Sequence, residues 1–294
     1  MKQSLIVTVM HALRVYQWPK NLLLFVPLFA AHELTDQRKL SAGIVAFACF
    51  CLAASGLYLI NDIRDRESDR KHERKKHRPI ASGALSVNAA LATAVGCLLL
   101  AFSCSLALPE KFQNYLLLYA LSSLLYSTYL KRLLVLDVIS LALFYTLRIL
   151  AGGAATDIRV SEWLVSFSLF LFMSLACLKR FSELRVLKSR SEVQAAGRGY
   201  SVQDTEAISL FGGCSGYIAV AVLVLYISSE EVKALHRQPQ FLWLVTPIAL
   251  YWITRIWILA FRGIVDDDPV IFALRDKVTY VVAFAATGVL YLAI

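Results

Sequence analysis

The chain has 294 residues, of which 58% are hydrophobic and 17% charged, and its mean hydropathy is +0.61. These values exclude an ordinary soluble domain and a disordered protein. The formal net charge is +9, yet the aromatic residues are not interleaved with a basic patch, so the sequence indicates no nucleic-acid partner.

Apolar residues gather into nine runs that we interpret as membrane crossings, since a bilayer core of roughly 30 Å takes ~20 helical residues. In lipid, backbone groups must bond within their own segment, which favours helices. The runs are 21–33, 41–60, 87–108, 112–130, 133–152, 162–178, 207–228, 240–260 and 278–294. We therefore predict an all-α integral membrane protein with nine transmembrane helices and a single domain over 1–294.

The basic residues predict the orientation. With the N-terminus inside, 23 Lys and Arg residues fall on the cytoplasmic side and 6 on the opposite side. This asymmetry is typical of positive-inside topology, although part of it also attracts anionic lipid headgroups. Residues 1–17 contain no cleavable signal pattern. We expect a cytoplasmic N-terminus and a C-terminus outside.

Motifs for several common kinds of site are missing from the sequence. All six cysteines fall in apolar runs without a Cys-x-x-Cys pair, which favours packing roles. We find no Gly-rich phosphate loop and no Ser/His/Asp constellation. The chemistry is therefore expected in two cytoplasmic loops.

The first loop continues helically from the second apolar run. Asn61, Asp62, Asp65 and Asp69 fall within roughly a 100° arc of a helix. Carboxylates on one stripe repel each other unless a cation lies between them, and such oxygen ligands suit Mg²⁺. The stripe predicts a Mg²⁺ site that holds a diphosphate; the alternative is a solvated acidic face paired with nearby arginines.

A basic run over 70–78 follows directly, and sequence alone does not sort its phosphate-binding members from those that face lipid headgroups. The pattern Asn-Asp-x-x-Asp-x-x-x-Asp followed by Arg78-Pro-Ile-Ala-Ser-Gly resembles the first signature of the UbiA superfamily of intramembrane prenyltransferases. That resemblance implies a helical bundle with a cytoplasmic active site. It also implies prenyl transfer in common members, which carry a second Asp-rich motif for a second Mg²⁺.

The second loop departs from that pattern. Residues 179–206 contain no Asp-x-x-x-Asp. In its place stand the basic residues Lys179, Arg180, Arg185, Lys188, Arg190 and Arg198. Arg and Lys bind phosphate oxygens without a metal, so this loop predicts a site for an additional phosphate group. The alternative is positive-inside bias alone.

Five stretches in order narrow the resemblance to the decaprenyl-phosphate phosphoribosyltransferases of bacteria. The stretches are 14–28, the paired motifs at 61–69 and 78–83, 126–152, 178–187 and 267–277. The resemblance implies a bacterial cytoplasmic (inner) membrane enzyme of arabinan precursor synthesis. It would move 5-phosphoribosyl from 5-phosphoribosyl 1-diphosphate (PRPP) to a polyprenyl (decaprenyl) phosphate and release diphosphate. Association into a homo-oligomer stays open.

The residues fit this reaction in the following way. Asn61, Asp62 and Asp65 are the predicted catalytic residues, and with Asp69 they would hold the Mg²⁺ that binds the diphosphate. The basic residues Lys179, Arg180, Lys188 and Arg198 would bind the donor's 5-phosphate. No general base is needed, because the acceptor phosphate is already anionic at neutral pH.

Five other residues are candidates for substrate binding, and two of them, Lys20 and Arg148, also have an alternative role. Lys20 follows Trp18 and is either a phosphate ligand or a snorkelling side chain. Arg78 follows the acidic stripe, and Tyr126 and Lys131 end the fourth run, where the superfamily places a Tyr and a Lys near the diphosphate. Arg148 lies within a run and serves either structure or lipid-phosphate contact.

Two other functions are weighed against phosphoribosyl transfer. Ordinary prenyl transfer to an aromatic acceptor would need acidic ligands from elsewhere, such as 266–268, whose plain interpretation is a solvated turn. A transporter or non-catalytic lipid-binding protein would show inverted repeats and broken spans. It would also leave the acidic stripe unexplained.

Overall fold

A computed structural model describes residues 5–71, 75–190, 198–230, 232, 237–265 and 268–293. Within these ranges the ordered elements are helices, and no strand occurs. The all-helical prediction is therefore confirmed. The chain forms two compact units, Met1–Tyr129 with Leu147–Val160, and Leu130–Thr146 with Ser161–Ile294, which are described in turn. The single-domain prediction stays a prediction.

Unit 1 contains six α-helices and the second half of a seventh among its described residues. They are α1 (Leu5–Ala12), α2 (Val26–Ala30), α3 (Gln37–Arg64), α4 (Arg66–Lys71), α5 (Val87–Ser105), α6 (Glu110–Thr128) and the end of α7 (Leu136–Thr156). Short 3₁₀ helices cover Val15–Phe25 and Lys75–His77. Helix α3 begins where the Asp36 carboxylate accepts hydrogen bonds from the amides of Arg38 and Lys39, at 2.8 and 3.1 Å.

The first predicted membrane run, 21–33, is not one helix. A 3₁₀ helix ends at Phe25 and the short α2 follows, because Pro19 and Pro27 lack the amide hydrogens that a regular helix requires. Leu24 is fully buried in this segment. A Cβ atom on Gly152 would lie 2.0 Å from the Leu24 carbonyl oxygen, so only glycine permits this approach.

Unit 2 contains the beginning of α7 and five further α-helices among its described residues. These are α8 (Glu162–Ser189), α9 (Thr205–Ser228), α10 (Val245–Phe261), α11 (Pro269–Ala273) and α12 (Lys277–Ala293). Close contact of α9 with its neighbours depends on small residues. A Cβ on Gly212 would lie 2.3 Å from the Trp257 ring, and one on Gly216 would lie 2.7 Å from Ile253.

Six helical segments in the described part of the chain are long and apolar enough to cross a membrane. They are Gln37–Arg64, Val87–Ser105, Leu136–Thr156, Glu162–Ser189, Val202–Ser228 and Pro239–Phe261. Helix α12 is apolar but shorter, and α6 is not among the six. A multi-pass membrane protein follows, whereas nine crossings are not established by these helices.

Candidate active site

The acidic stripe lies where α3 ends and α4 begins. The Asp65 amide donates to the Asn61 carbonyl at 2.9 Å, and the Asp69 amide donates to the Asp65 carbonyl at 2.8 Å. Helical turns therefore continue past the last residue of α3, as the sequence predicts. The following segment folds back, because Arg70 Nε donates to the Ala81 carbonyl at 3.0 Å.

Two of the acids share arginine partners in what we call the acid–arginine cluster, formed by Asp62, Asp69, Arg14 and Arg78. Arg14 Nη2 donates to Asp62 Oδ1 at 2.6 Å. One nitrogen, Arg78 Nη1, donates both to Asp62 Oδ1 at 3.0 Å and to Asp69 Oδ2 at 2.7 Å. Both carboxylates are buried, whereas the side chain of Arg14 is 15% exposed and that of Arg78 is 27% exposed. The acids thus converge on a cation.

Arg14 is the member of this cluster that sequence reasoning missed. Its backbone has φ 51°, in the left-handed region that non-glycine residues rarely adopt. Its guanidinium lies 4.7 Å from the centre of the Tyr58 ring. Burial is the largest single influence and lowers the pKa of Arg14, but the charge of Asp62, the two neighbouring tyrosines and the hydrogen bond to Asp62 together raise this pKa above its ordinary value. Its position at the start of the 14–28 stretch was the available signal.

The donor set of the stripe fits Mg²⁺ in its chemistry. Arg78 holds a cationic nitrogen between Asp62 and Asp69, where a metal ion would otherwise balance their charge. Asn61 Nδ2 meanwhile donates to Asp65 Oδ2 at 3.1 Å. In the described residues, no three acidic, His or Cys side chains are grouped as metal ligands. Asp62 and Asp69 are thus paired through Arg78, and Asn61 is paired with Asp65.

A buried hydrogen-bond network in unit 1 contains a further candidate for substrate binding, Arg148. Arg148 Nε donates to Asn21 Oδ1 at 2.8 Å, and Arg148 Nη2 donates to the Tyr119 hydroxyl at 3.1 Å. Asn21 donates in turn to Cys51 Sγ at 3.2 Å. Lys20 is also buried, at 8% exposure, which disfavours a side chain that snorkels to water. Arg148 thus has structural partners, and its contact with lipid phosphate stays a prediction.

Tyr126 and Lys131 fall in different units. Tyr126 is half-buried in α6 of unit 1. Lys131 is half-buried in a 3₁₀ turn, Leu130–Arg132, of unit 2. Their predicted contact with the diphosphate stays a prediction.

The basic loop of unit 2 is organised around one acid, Asp137, whose side chain is fully buried. Both Arg180 Nε and Arg180 Nη2 donate to its carboxylate, and Arg198 Nη1 donates to Asp137 Oδ1 at 2.9 Å. Arg180 also pairs with Glu183. We call Asp137, Arg180, Arg198 and Glu183 the Asp137 cluster. Sequence reasoning did not assign Asp137 to this loop, although an acid in the first turn of an apolar helix was a signal.

Burial separates the two arginines of the Asp137 cluster. The Arg180 side chain is 1% exposed and the Arg198 side chain is 21% exposed. Burial favours a positioning role for Arg180, and its direct contact with substrate stays a prediction. Lys179 is half-buried and Lys188 is exposed on the same helix.

A strained turn precedes Asp137. Val135 has φ 66°, which is costly for a β-branched residue, and its amide donates to the Tyr200 hydroxyl at 3.0 Å. A Cβ on Gly199 would lie 2.7 Å from the Arg132 carbonyl oxygen. Burial raises the pKa of Tyr200 to about 12. Gly199 and Tyr200 therefore contact the turn at 132–135, which directly precedes α7 and its buried acid Asp137.

Some predicted residues lie outside the described ranges. They are Arg74 of the basic run, residues 191–197 of the second loop, and Asp266 and Asp267. Asp268 is described and caps α11, because its carboxylate accepts from the Ile271 amide at 3.3 Å.

Three of the relatives found among known proteins show what this chain is similar to. The chain is 34% identical to the nodulation protein NoeC of Azorhizobium caulinodans, over 92% of this chain and 87% of that protein. It is 29% identical to a decaprenyl-phosphate phosphoribosyltransferase of Mycolicibacterium smegmatis, over 99% of this chain and 94% of that protein. It is 35% identical to the uncharacterized protein y4nM of Sinorhizobium fredii over 91% of this chain, but spans only 52% of that longer protein.

Among solved structures, a UbiA homolog from Archaeoglobus fulgidus bound to GPP and Mg²⁺ superposes with a TM-score of 0.69. The superposition covers 86% of each chain at 19% identity, which establishes the fold alone. Residues 22–198 match the UbiA prenyltransferase family. The family match, the relatives and the helical fold agree: this chain is a membrane transferase that belongs to the UbiA prenyltransferase family and resembles its decaprenyl-phosphate phosphoribosyltransferases.

Proposed function

We propose that this protein transfers 5-phosphoribosyl from PRPP to a long-chain polyprenyl phosphate and releases diphosphate. The observation that carries the proposal is the composition of the Asp137 cluster. Around its one fully buried carboxylate lie two arginines, so in the described residues this loop offers no set of acids for a second metal. A donor with an additional phosphate group suits such a loop better than a second Mg²⁺–diphosphate.

Similarity supports the same proposal. The relation to the mycobacterial phosphoribosyltransferase extends over nearly the whole chain rather than over the acidic motif alone. The nodulation protein NoeC has a higher identity to this chain, 34%, and its name states no reaction. The physiological acceptor and pathway of this protein therefore belong to the proposal.

The acid–arginine cluster is proposed to bind the donor's diphosphate. Mg²⁺ held by Asn61, Asp62, Asp65 and Asp69 would supply positive charge to the leaving group. Arg14 and Arg78, released from the acids, would donate charge-assisted hydrogen bonds to the diphosphate oxygens. The exposed fractions of the two arginines leave room for this exchange.

The reaction needs no general base. An oxygen of the acceptor phosphate forms the new bond to C1 of ribose while the bond from C1 to the diphosphate breaks. The acceptor phosphate is already anionic at neutral pH. Arg198 and Lys179 are proposed to supply the charge that binds the donor's 5-phosphate, and Arg180 positions Arg198 through their shared partner Asp137.

We further propose nine membrane crossings in a bacterial inner membrane, with the N-terminus and both clusters cytoplasmic. The distribution of Lys and Arg supports this orientation. A C-terminal alkaline phosphatase fusion should be active and a C-terminal fluorescent protein dark. The reverse result would place the C-terminus in the cytoplasm.

The reaction is tested with purified protein in nanodiscs, radiolabelled PRPP, a polyprenyl phosphate and Mg²⁺. We expect a labelled lipid that requires Mg²⁺, is lost with EDTA, and is lost in the Asp65→Asn variant. A parallel assay offers a prenyl diphosphate with an aromatic acid. Turnover of that pair without any labelled lipid would refute phosphoribosyl transfer and establish ordinary prenyl transfer.

A further inference from the structure

The segment that follows α1 lies against one side of α3. It covers residues 13–18, enters the first 3₁₀ helix, and is called the N-terminal strap below. Its partners on α3 are Ser55, Tyr58 and Asp62, which are three and four residues apart and therefore share one side of the helix. The last of these partners is the acid that Arg14 binds, so the strap ends at the acid–arginine cluster.

One hydroxyl group connects the two ends of the strap. Ser55 Oγ donates to the Leu13 carbonyl at 2.8 Å and accepts a hydrogen bond from Trp18 Nε1 at 3.1 Å. Ser55 is 1% exposed. An indole N–H only donates and a carbonyl only accepts, whereas a hydroxyl does both, so it can bridge these two groups. The bridge therefore closes the strap on both sides of Arg14.

The bridge acts on the backbone of Arg14. The Leu13 carbonyl belongs to the peptide group directly before Arg14, so the hydrogen bond from Ser55 holds the plane of that peptide. Rotation about the next bond is φ of Arg14, which is 51° and lies in the left-handed region. The Gln17 amide then donates to the Arg14 carbonyl at 2.8 Å. Backbone of this kind persists where surrounding contacts determine it.

The backbone conformation in turn places the guanidinium of Arg14. It lies 4.7 Å from the centre of the Tyr58 ring and donates to Asp62 Oδ1 at 2.6 Å. A long side chain that is ordered only on binding loses conformational entropy at that moment. An arginine that is already held before binding avoids part of this loss, so its affinity for an anion is higher.

We propose that Ser55 is a positioning residue for diphosphate binding, which holds Arg14, through Leu13 and Trp18, in the conformation that presents its guanidinium to the diphosphate. The inference deepens the proposed function and rests on its assignment of the diphosphate to the acid–arginine cluster. Ser55 lies seven residues before Asp62, roughly 10 Å along α3, so it acts through Arg14 rather than on the ligand. The competing explanation is a hydrogen bond that only stabilises the packing of the strap.

The first test measures binding of inorganic diphosphate with Mg²⁺ to the full-length protein in detergent, by calorimetry, with Mg²⁺ alone as the blank. The variants are Ser55→Ala, Arg14→Gln and the two combined. Ser105→Ala is the matched control, because Ser105 is also 1% exposed in unit 1 and its hydroxyl donates to the Phe102 carbonyl at 2.7 Å. Thermal unfolding verifies that each variant is folded.

The dissociation constant should rise about 3- to 10-fold in Ser55→Ala and more than about 10-fold in Arg14→Gln. It should change less than about 2-fold in Ser105→Ala. The combined variant should bind no more weakly than Arg14→Gln, because a residue that acts only through Arg14 has no effect once Arg14 is gone. If Ser55→Ala does not fold, Trp18→Phe takes its place; it removes the indole N–H and should raise the dissociation constant about 2- to 3-fold.

The second test needs no ligand. Exchange of the strap amides with deuterium is measured by mass spectrometry in the absence of Mg²⁺ and diphosphate. These amides should exchange faster in Ser55→Ala than in the wild type, because the strap then opens more often, and at an unchanged rate in Ser105→Ala.

The outcomes separate this inference from the proposed function. If the wild type binds diphosphate, an unchanged dissociation constant in Ser55→Ala overturns the positioning role and leaves the proposed function standing. An additive loss in the combined variant, or unchanged exchange of the strap amides, does the same. If the wild type does not bind diphosphate with Mg²⁺, the diphosphate site of the proposed function is refuted, and this inference with it.

Discussion

The acid–arginine cluster and the Asp137 cluster are built from the same ions but differ in burial and in proportion. In the first, two acids share one arginine nitrogen, and the arginines remain 15% and 27% exposed. In the second, one fully buried acid holds two arginines, one of them 1% exposed.

This difference separates exchangeable ions from structural ions. A partly exposed arginine can leave its carboxylate for a metal or a phosphate, since water and ligand compensate both partners. A fully buried pair cannot separate cheaply, because the abandoned charge would lie in an apolar interior. The first cluster is therefore suited to ligand exchange, and the core of the second is suited to positioning.

The largest effect is expected from Asp137→Asn, which leaves Arg180 without its main buried partner. The free energy of unfolding should fall by about 3 to 5 kcal/mol, measured by denaturation in mixed micelles. Glu183→Gln is the control, since the Glu183 side chain is 37% exposed and should contribute about 1 kcal/mol or less. Equal losses in both variants would contradict a structural role specific to Asp137.

Asp62→Asn tests the exchangeable cluster. The rate of transfer should fall about 100- to 1,000-fold, because the diphosphate loses electrostatic stabilisation as it leaves. The unfolding temperature should change much less than in Asp137→Asn. Glu67→Gln is the matched control in the same segment, with its side chain 76% exposed, and a comparable loss there would argue against a site at the stripe.

Arg198→Lys sharpens the distinction inside the Asp137 cluster. It keeps the charge but loses the planar fork, so KM for PRPP should rise about 10-fold with kcat changed less than about 3-fold. Arg132→Lys, an exposed position in the same unit, should leave both constants unchanged. An unchanged KM in Arg198→Lys would remove Arg198 from the donor site.

The smallest effect is expected from Tyr200→Phe, which removes one hydrogen bond to the Val135 amide and should cost about 1 kcal/mol. Because burial raises the pKa of Tyr200 to about 12, the folded state keeps this proton longer than the unfolded state does. The stabilisation is fully present below about pH 10 and is lost as the pH rises toward 12. The difference in unfolding temperature between wild type and variant should therefore shrink above pH 10, and a pH-independent difference would contradict this assignment.

Local sequence patterns predicted much of the fold correctly. Apolar runs indicated the helices α3, α5, α7, α8, α9 and α10, and the i, i+4 spacing indicated the acidic stripe. These predictions succeed because helix formation depends on neighbours three and four residues apart. The prediction of a single helix over 21–33 was wrong, because Pro19, just before the run, and Pro27, within it, lack the amide hydrogens that a regular helix requires.

Which charges meet was decided only by the tertiary structure. Arg14 contacts Asp62 across 48 residues of sequence, and Arg198 contacts Asp137 across 61. Both pairings involve or adjoin left-handed backbone, at Arg14 and at Val135, which no propensity predicts for these residue types. The sequence by itself determined a helical membrane protein with an acidic stripe and a basic loop. Packing then determined which cations remain available, because burial, which depends on residues far apart in the chain, sets the cost of separating each ion pair.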